Sequence, residues 1–404
     1  MQNTYDIAII GSGLAGTFAN LKIARENKNL KTIIFDIGRA PQKRRQFLIG
    51  YLGVLPNSDG KLYMNDISKV ASLITNRKAN SSFKWVEDYL SNINEFKVIK
   101  DRKPQVSVEK KIKKYGFNLT LNDYMQMYPK DIHALSRLLS NEIESAGNTK
   151  YCFDTEIIDI SKQKGMFVVK SATEEYRCKR LLMAVGRSGW RWAKEIFQKF
   201  DIIENNDYAK FGVMVEMNVG HMKEYNHSNC TITKGDELTI GPMTWNGTII
   251  HEDHVDLAIT TLRSNENRWN SDKVAFSIIG SRYYPNKGSE QTDRLGKLTY
   301  LLSNDRISKE KVSTILSKKS QISVLHEYDW LVDSIKDMSN IIPELITKAY
   351  YYIPTIHPFT PTINIGKNLE TEIEGMYTAG ETAGINGLLS AAIMGVAAGD
   401  AICK

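Results

Sequence analysis

The sequence has no apolar run long enough to cross a membrane. Its longest, Leu388 to Val396, is interrupted by Gly395 and followed by Asp400. The opening residues, Met1 to Asp6, carry no basic segment, so no signal peptide is predicted. The four cysteines lie far apart, without the CxxC spacing of a metal site or a redox-active disulfide. These absences favour a cytoplasmic chain without a membrane span.

The composition is that of a globular enzyme large enough for two domains. Of its 404 residues, 42% are hydrophobic and 25% are charged. The formal net charge of +7 is compatible with an anionic partner, such as a phosphorylated small molecule, an acidic protein or a nucleic acid. Basic residues are spread along the chain, although one patch stands out from Lys97 to Lys114. A solvated basic surface is the simpler interpretation of this charge.

The first 36 residues have the pattern strand, glycine-rich turn, helix, strand. Tyr5 to Ile10 predicts a strand buried on both faces, Leu14 to Glu26 an amphipathic helix, and Lys31 to Asp36 a second strand. The turn between the first strand and the helix reads GxGxxG, the fingerprint of a dinucleotide-binding βαβ unit. The predicted contacts to the dinucleotide are Gly11, Ser12, Gly13, Leu14, Ala15 and Gly16.

Each glycine of this turn has a predicted role. Gly11 allows the tight turn, Gly13 lets the backbone approach a diphosphate, and Gly16 lets the helix pack closely on the strand. The helix N-terminus presents free N–H groups and a positive dipole end to the phosphates. Asp36, at the end of the second strand, is predicted to bind the ribose hydroxyls and to disfavour a 2′-phosphate, which makes NADP an improbable ligand.

The C-terminal segment distinguishes FAD from NAD. Gly375 to Glu381 predicts a strand ending in a glycine turn, and Leu388 to Ile402 predicts a helix of small residues. This segment resembles the second FAD motif of the flavoprotein superfamily with two dinucleotide-binding domains. The resemblance implies cofactor contacts at Gly380, Glu381, Gly387 and Leu388. A third match, Leu181 to Gly186, is similar to the strand end at which such chains leave the FAD domain, and it adds Ala184 and Gly186.

Several further segments resemble a group of bacterial and archaeal proteins described as uncharacterised FAD-dependent dehydrogenases. They are Gly38-Arg39, Arg44-Arg45, Ser58 to Leu62, Ala184 to Ser188, Phe211 to Glu216, Thr360 to Thr362 and Tyr377 to Ala392. The likeness covers most of the chain but is loose from 220 to 350, and Gly50 to Asn57 replaces the glycine-rich run common in that group. It implies one non-covalently bound FAD, with Arg44 among its contacts, and no particular substrate.

The predicted fold is therefore of the α/β class. A Rossmann-like FAD-binding domain with a central parallel sheet is expected from residues 1–210 and 355–404. An inserted, mostly β substrate domain is expected from residues 211–354.

Two residues are candidates for the chemistry. Lys61 follows an Asp-Gly turn, and by analogy with related flavoproteins it would lie near flavin N5; a surface lysine, with Asp59 fixing the turn, is an equal alternative. His357 lies just upstream of the C-terminal motif and could accept a proton; the alternative is a packed or solvent-facing histidine. His251 and His254 lack a third metal ligand at recognisable spacing, so a polar hairpin is predicted there, and no metal is expected.

The leading hypothesis is an FAD-dependent oxidoreductase that transfers a hydride between flavin N5 and a small-molecule substrate. No second GxGxxG follows Gly186 and no cysteine pair could relay electrons, so a substrate or an electron-transfer partner must dock over the flavin ring. Two alternatives remain. One is a flavoprotein that modifies or binds nucleic acid, and the other is an FAD-binding protein without turnover.

Overall fold

The structure is a computed structural model, and it describes residues 3–44, 49–254, 256–264 and 271–404. In these residues the helices are α1 (Leu14–Glu26), α2 (Asp66–Leu73), α3 (Asn76–Leu90), α4 (Val106–Lys114), α5 (Pro129–Ala146), α6 (Trp190–Lys199), α7 (Gly288–Leu302), α8 (Ser313–Leu316), α9 (Asp329–Ser339), α10 (Leu345–Lys348) and α11 (Leu388–Cys403). The strands are β1 (Asn3–Ile10), β2 (Thr32–Phe35), β3 (Lys61–Tyr63), β4 (Val98–Ile99), β5 (Asn118–Thr120), β6 (Tyr124–Gln126), β7 (Thr149–Cys152), β8 (Ile157–Gln163), β9 (Met166–Ser171), β10 (Glu175–Met183), β11 (Ile203–Asn205), β12 (Tyr208–Asn218), β13 (Thr231–Lys234), β14 (Leu238–Ile240), β15 (Thr244–Trp245), β16 (Gly247–Asp253), β17 (Ala258–Ser264), β18 (Lys273–Tyr283), β19 (Ser308–Lys311), β20 (Tyr350–Ile356), β21 (Thr362–Ile363) and β22 (Met376–Thr378).

The chain forms two compact units. Unit 1 consists of Met1–Val98, Tyr124–Asn205 and Phe359–Lys404, and unit 2 of Ile99–Asp123 and Asn206–Pro358. The division expected from the sequence placed residues 99–123 in the first domain. They cluster with unit 2 because β5 pairs with β13 in the sheet of that unit.

Unit 1 contains the parallel sheet predicted from the sequence. β7, β2, β1, β10 and β22 are all parallel and pair in that order, and antiparallel β9 and β8 extend the sheet beyond the first half of β10. From β1 the chain proceeds to β2 and β7 on one side, whereas β10 and β22 lie on the other. The strand order therefore reverses direction between β1 and β10, which makes this a topological switch point of the sheet.

Both faces of the parallel sheet are covered. Ile7 and Ile9 of β1 pack in a core with α1, α5 and α11, whereas Ala8 and Ile10 pack in a second core with β9 and α6. Burial on both faces explains the uninterrupted apolar run of this strand. The predicted buried strand is confirmed, and α1 has its predicted bounds.

Unit 2 contains an antiparallel sheet in the order β19-β20-β12-β18-β14-β13-β5, with β15 also paired to β18. Its core lies on one face, where every second residue of β12, such as Phe211 and Val213, packs with α7 and α9. β16 and β17 form a separate hairpin. The α/β class and the mostly β second part of the chain are confirmed. Nowhere in the described ranges is a helix both long and apolar enough to span a bilayer.

Candidate cofactor site and catalytic residues

The glycine-rich loop connects the end of β1 to the start of α1. Gly13 is the N-cap of α1, and a Cβ added to it would come no closer than 3.9 Å to another residue. A Cβ on Gly16 would instead lie 1.9 Å from the carbonyl oxygen of Gly11. Gly16 therefore lets the helix pack directly on the turn, while the backbone at Gly13 is open to a ligand.

Asp36 follows β2 and holds this loop in place. Its carboxylate accepts hydrogen bonds from the backbone N–H of Ser12 at 2.7 Å, from the Ser12 hydroxyl at 2.6 Å and from the N–H of Gly38 at 2.7 Å. The side chain is only 8% exposed. Asp36 thus has a structural role in the glycine-rich loop, in addition to the ribose contact predicted from the sequence.

Replacing Asp36 with Ala is expected to lower the free energy of unfolding by roughly 2–4 kcal/mol, because three buried donors lose their acceptor. Urea denaturation of the cofactor-free protein would measure this change. Asp36→Asn keeps one acceptor oxygen and is expected to cost less than Asp36→Ala. Equal stability of Asp36→Ala and wild type would contradict the role of Asp36 in holding the loop.

Arg44 lies close to the same loop. Its guanidinium donates to the carbonyl oxygens of Tyr51 and Gly53, and the N–H of Leu52 donates to the carbonyl of Ser12 at 2.8 Å. Burial lowers the pKa of Arg44 to about 10, partly offset by the carboxylate of Asp36, so the side chain is charged at neutral pH. Arg44 therefore fixes the segment that lies against the glycine-rich loop. Arg45, the next residue of the resembling segment, lies outside the described residues.

The strands β10 and β22 end at the same edge of the sheet as β1. The N–H of Ala184 donates to the carbonyl of Ile10 at 2.8 Å, and the N–H of Ala379 donates to that of Met183 at 3.1 Å. Gly186 follows with a φ of 62°. The glycine-rich loop, Asp36, Ala184 and the C-terminal motif thus converge at the carboxyl edge, beside the switch point, where ligands of open α/β sheets bind.

The helices α1 and α11 run parallel from this edge of the sheet, but their N-termini lie at different levels. A Cβ on Gly395 of α11 would lie 2.3 Å from the carbonyl of Ala15, and one on Gly399 would lie 2.7 Å from that of Ala19. Gly395 lies seven residues after the start of α11, whereas Ala15 lies one residue after the start of α1. Since these two residues are in contact, α11 begins six residues earlier than α1 along their common direction. At 1.5 Å per residue, its N-terminus extends about 9 Å beyond that of α1.

The start of α11 is built from the C-terminal motif and from Asp66. Gly380 and Glu381 begin a short 3₁₀ helix, and Gly387 is the N-cap of α11, directly before Leu388. The carboxylate of Asp66 accepts a bond from the N–H of Ser390 at 3.3 Å and pairs with Lys69 at 2.8 Å. Asp66 therefore caps α11 from a distant part of the sequence.

Gly387 has no room for a side chain. A Cβ there would lie 2.2 Å from the Asp66 carboxylate, and the φ of 124° is one that glycine alone adopts readily. Three buried hydroxyl groups nearby have no hydrogen-bond partner among the described residues: those of Thr378, Thr382 and Ser390. Buried polar atoms without partners, together with the open backbone at Gly13, suit a site that receives a polar ligand.

Lys61 is a buried residue of β3 in unit 1. Its side chain is 9% exposed, and its ammonium lies 3.9 Å from a carboxylate oxygen of Asp59 and 5.2 Å from the centre of the Tyr124 ring. The other carboxylate oxygen of Asp59 accepts the N–H of Lys61 at 3.1 Å. Asp59 thus fixes the turn, as expected in the interpretation that gave Lys61 no role in the chemistry. That interpretation also expected Lys61 to be a surface residue, whereas Lys61 is buried.

His357 follows β20 in unit 2, so Lys61 and His357 belong to different units. The N–H of His357 donates to the carbonyl of Lys210 at 2.9 Å. Lys210 lies on β12, on the face opposite the core residue Phe211, and burial lowers the pKa of its ammonium. A half-buried histidine and a half-buried lysine therefore come from adjacent strands.

The non-core face of β12 carries a second polar group. Glu216 accepts from Lys309 at 3.0 Å and from the hydroxyl of Tyr352 at 3.1 Å. On β20, the hydroxyl of Thr355 lies 2.6 Å from that of Thr260 in the β16–β17 hairpin. A sheet face with this many hydrogen-bonding groups differs from the apolar core face and is suited to a polar ligand.

The predicted polar hairpin at His251 and His254 is confirmed. Glu252, which is fully buried, bonds Nε2 of His254 at 2.9 Å near the end of the hairpin. In the parts of the chain that the structure describes, no cluster of three or more potential metal ligands occurs.

Sequence reasoning missed Asp66 and Lys210. An acidic residue at the first position of a helix such as α2 is common, and it gives no sign of a contact with α11. The sequence does give an indication of Lys210, because this lysine directly precedes the apolar strand run that starts at Phe211.

Comparison with known proteins gives structural similarity only. No protein-family model matches the chain, and no curated protein sequence matches it. Glycine oxidase from Geobacillus kaustophilus is similar over 99% of this chain and 95% of its own, with 13% identity and a TM-score of 0.43. FAD-bound L-alpha-glycerophosphate oxidase from Mycoplasma pneumoniae is similar over 99% and 94%, with 11% identity and a TM-score of 0.47. A flavoprotein/dehydrogenase from Cytophaga hutchinsonii is similar over 99% and 78%, with 10% identity and a TM-score of 0.42.

Proposed function

We propose that the chain binds one FAD non-covalently and acts as an FAD-dependent oxidoreductase in the cytoplasm. The stagger of α1 and α11 carries this proposal, since two helix N-termini that are offset by about 9 Å along the helix axes face one sheet edge. The start of α1 suits the diphosphate, and the start of α11 suits the pyrimidine end of the flavin. The diphosphate is negatively charged, and the pyrimidine end of the flavin gains negative charge on reduction, so both suit a helix start that offers free N–H groups.

The residues around these two helix starts fit the remaining parts of FAD. Backbone groups from Gly11 to Gly16 and at Ala184 and Gly186 would surround the diphosphate. Asp36 would accept the ribose hydroxyls with the carboxylate lone pairs that Ser12 and Gly38 leave open. Glu381, half-buried beside Gly380, would bond the ribityl chain. Arg44 would keep the covering segment closed over the loop.

FAD in this site would supply hydride transfer at flavin N5. We assign Lys61 to the stabilisation of negative charge near the ring, because its ammonium is held in a buried position by Asp59 and Tyr124. We assign His357 to proton transfer with a small-molecule substrate. Lys210 beside it favours a substrate that carries a carboxylate or another anionic group.

The test is the absorption spectrum of the purified chain, followed by titration of the cofactor-free protein with FAD. We expect a visible flavin band, release of FAD on denaturation because no covalent bond holds it, and bleaching by a specific organic anion. Formation of hydrogen peroxide in air would identify an oxidase, and bleaching without peroxide would identify a dehydrogenase or a reductase. A colourless chain that binds no added FAD would overturn the proposal.

A flavoprotein that binds nucleic acid is the second candidate, favoured by a basic stretch of unit 2. Between residues 102 and 114, its exposed basic side chains are Arg102, Lys103, Lys110, Lys113 and Lys114. Binding to RNA or DNA that weakens steeply between about 50 and 200 mM salt would support it. Bound flavin that no metabolite reduces would instead support a protein without turnover.

A further inference from the structure

A cavity in unit 1 lies away from the proposed cofactor site. It has a volume of about 420 Å³, within the usual range of small-molecule sites. It is formed by the later turns of α1 and α11, by α3 and by residues 367–369. Lys22 lies eight residues after the start of α1, which is about 12 Å along the helix from the glycine-rich loop. Ligands at the two places would therefore not compete directly.

Four lysines line the cavity: Lys22, Lys78, Lys367 and Lys404. Lys22 pairs with Glu26 at 2.7 Å and Lys404 with Asp400 at 2.6 Å. The ammonium of Lys78 donates to the carbonyl of Lys367 at 2.9 Å, and the ammonium of Lys367 donates to the carbonyl of Leu73 at 2.9 Å.

The charges of Lys78 and Lys367 are therefore not neutralised. Throughout the described ranges, neither ammonium has a carboxylate partner; each is oriented by a backbone carbonyl and keeps further N–H donors. Lys367 also stabilises the C-terminal end of α2, which explains its own position but leaves its charge uncompensated. Two oriented positive charges at one cavity attract an anion.

The remaining wall of the cavity is largely apolar. Trp85 stacks on Tyr89 with ring centres 5.7 Å apart, and the ammonium of Lys22 lies 5.6 Å from the Trp85 ring. Lys22 is only 12% exposed, so its alkyl chain also contributes to this wall. Ala397 and Ala401, which are partly exposed, add small aliphatic side chains. This wall would bury a flat organic group. Inorganic phosphate alone would leave that part of the cavity unfilled.

We propose that this cavity binds a small organic anion that has a planar apolar part. The phosphate, sulfonate or carboxylate group meets the ammonium groups of Lys78 and Lys367, and the apolar part lies against Trp85 and Ala397. The site is separate from the cofactor site, and it does not depend on the identity of the cofactor.

The test uses the full chain in the presence of excess FAD, with anilinonaphthalene sulfonate as a fluorescent probe. Lys78→Glu is expected to weaken probe binding by about tenfold or more, because one charge-assisted contact becomes repulsive. Lys84→Glu is the matched control: it makes the same charge change on the same helix, but Lys84 pairs with Glu87 and Asp88 and does not line the cavity. We expect it to leave the affinity within about twofold.

Two further variants separate local binding from general effects. Lys78→Met removes the charge with less disturbance, and Trp85→Phe reduces the aromatic surface; both are expected to weaken binding. Equal affinity for Lys78→Glu and Lys84→Glu, with melting temperatures matching wild type, would overturn the proposal. Displacement of the probe from cofactor-free protein by added FAD would also overturn it, because the probe would then occupy the cofactor site.

Discussion

Gly13→Ala is expected to weaken FAD binding by about 10- to 100-fold while leaving the cofactor-free chain as stable as wild type. The added methyl group would lie 3.9 Å from its nearest neighbour in the chain, so the fold accommodates it. It would, however, occupy the space in which the proposed diphosphate lies against the backbone. Titration of cofactor-free protein with FAD measures the affinity, and thermal denaturation measures the stability.

Gly16→Ala is the comparison for this variant. Its methyl group would lie 1.9 Å from the Gly11 carbonyl oxygen and 3.2 Å from a methyl carbon of Ile9, so α1 must move away from β1. We expect a loss of about 1–3 kcal/mol or more in the free energy of unfolding, and weaker FAD binding as well. If Gly13→Ala binds FAD as wild type does, the diphosphate does not lie at this turn.

Asp66→Asn is expected to raise the reduction potential of the bound flavin. The Asp66 carboxylate is 1% exposed and lies at the start of α11, where the proposed site places the pyrimidine end of the ring. A negative charge there disfavours the electron-rich reduced form. An amide still accepts from the N–H of Ser390 but removes the charge. A tenfold change in the ratio of reduced to oxidised flavin corresponds to about 30 mV for two electrons, and potentiometric titration would measure it.

Lys69 supplies a control of opposite sign. Its ammonium lies 2.8 Å from Asp66 and is 43% exposed, so it partly neutralises the carboxylate. Lys69→Met is expected to lower the potential, by less than Asp66→Asn raises it because the lysine is screened by solvent. Potentials that shift in the same direction in both variants would show that charge at the start of α11 is not the cause.

The sequence was most informative where local pattern and tertiary structure agree. The run Tyr5 to Ile10, the GxGxxG turn and the helix from Leu14 to Glu26 each specify a local conformation, and the structure has the strand and helix that they predict. The end of β22 and the start of α11 were likewise close to their predicted positions. Hydrophobic periodicity and glycine positions are properties of neighbouring residues, and a single sequence displays them directly.

The remaining features depend on contacts between residues far apart in the sequence. Asp66 and Ser390 are separated by 324 positions, and the pairing of β5 with β13 transfers residues 99–123 to unit 2. Lys210 lies on β12, and both strands that pair with β12, β18 and β20, come from later parts of the chain. No local pattern specifies which distant segment will cover a given side chain, so these features became evident only in three dimensions.

The contact between Gly395 of α11 and Ala15 of α1 has a consequence for the order of assembly during translation. β1 and α1 are translated before β22 and α11, which follow only after most of the other described residues have been made. Until then, the face of α1 next to Ala15 and Ala19 has no partner, and one edge of β10 is unpaired near its end. This face of α1 therefore stays uncovered by α11 until the later segment has been made.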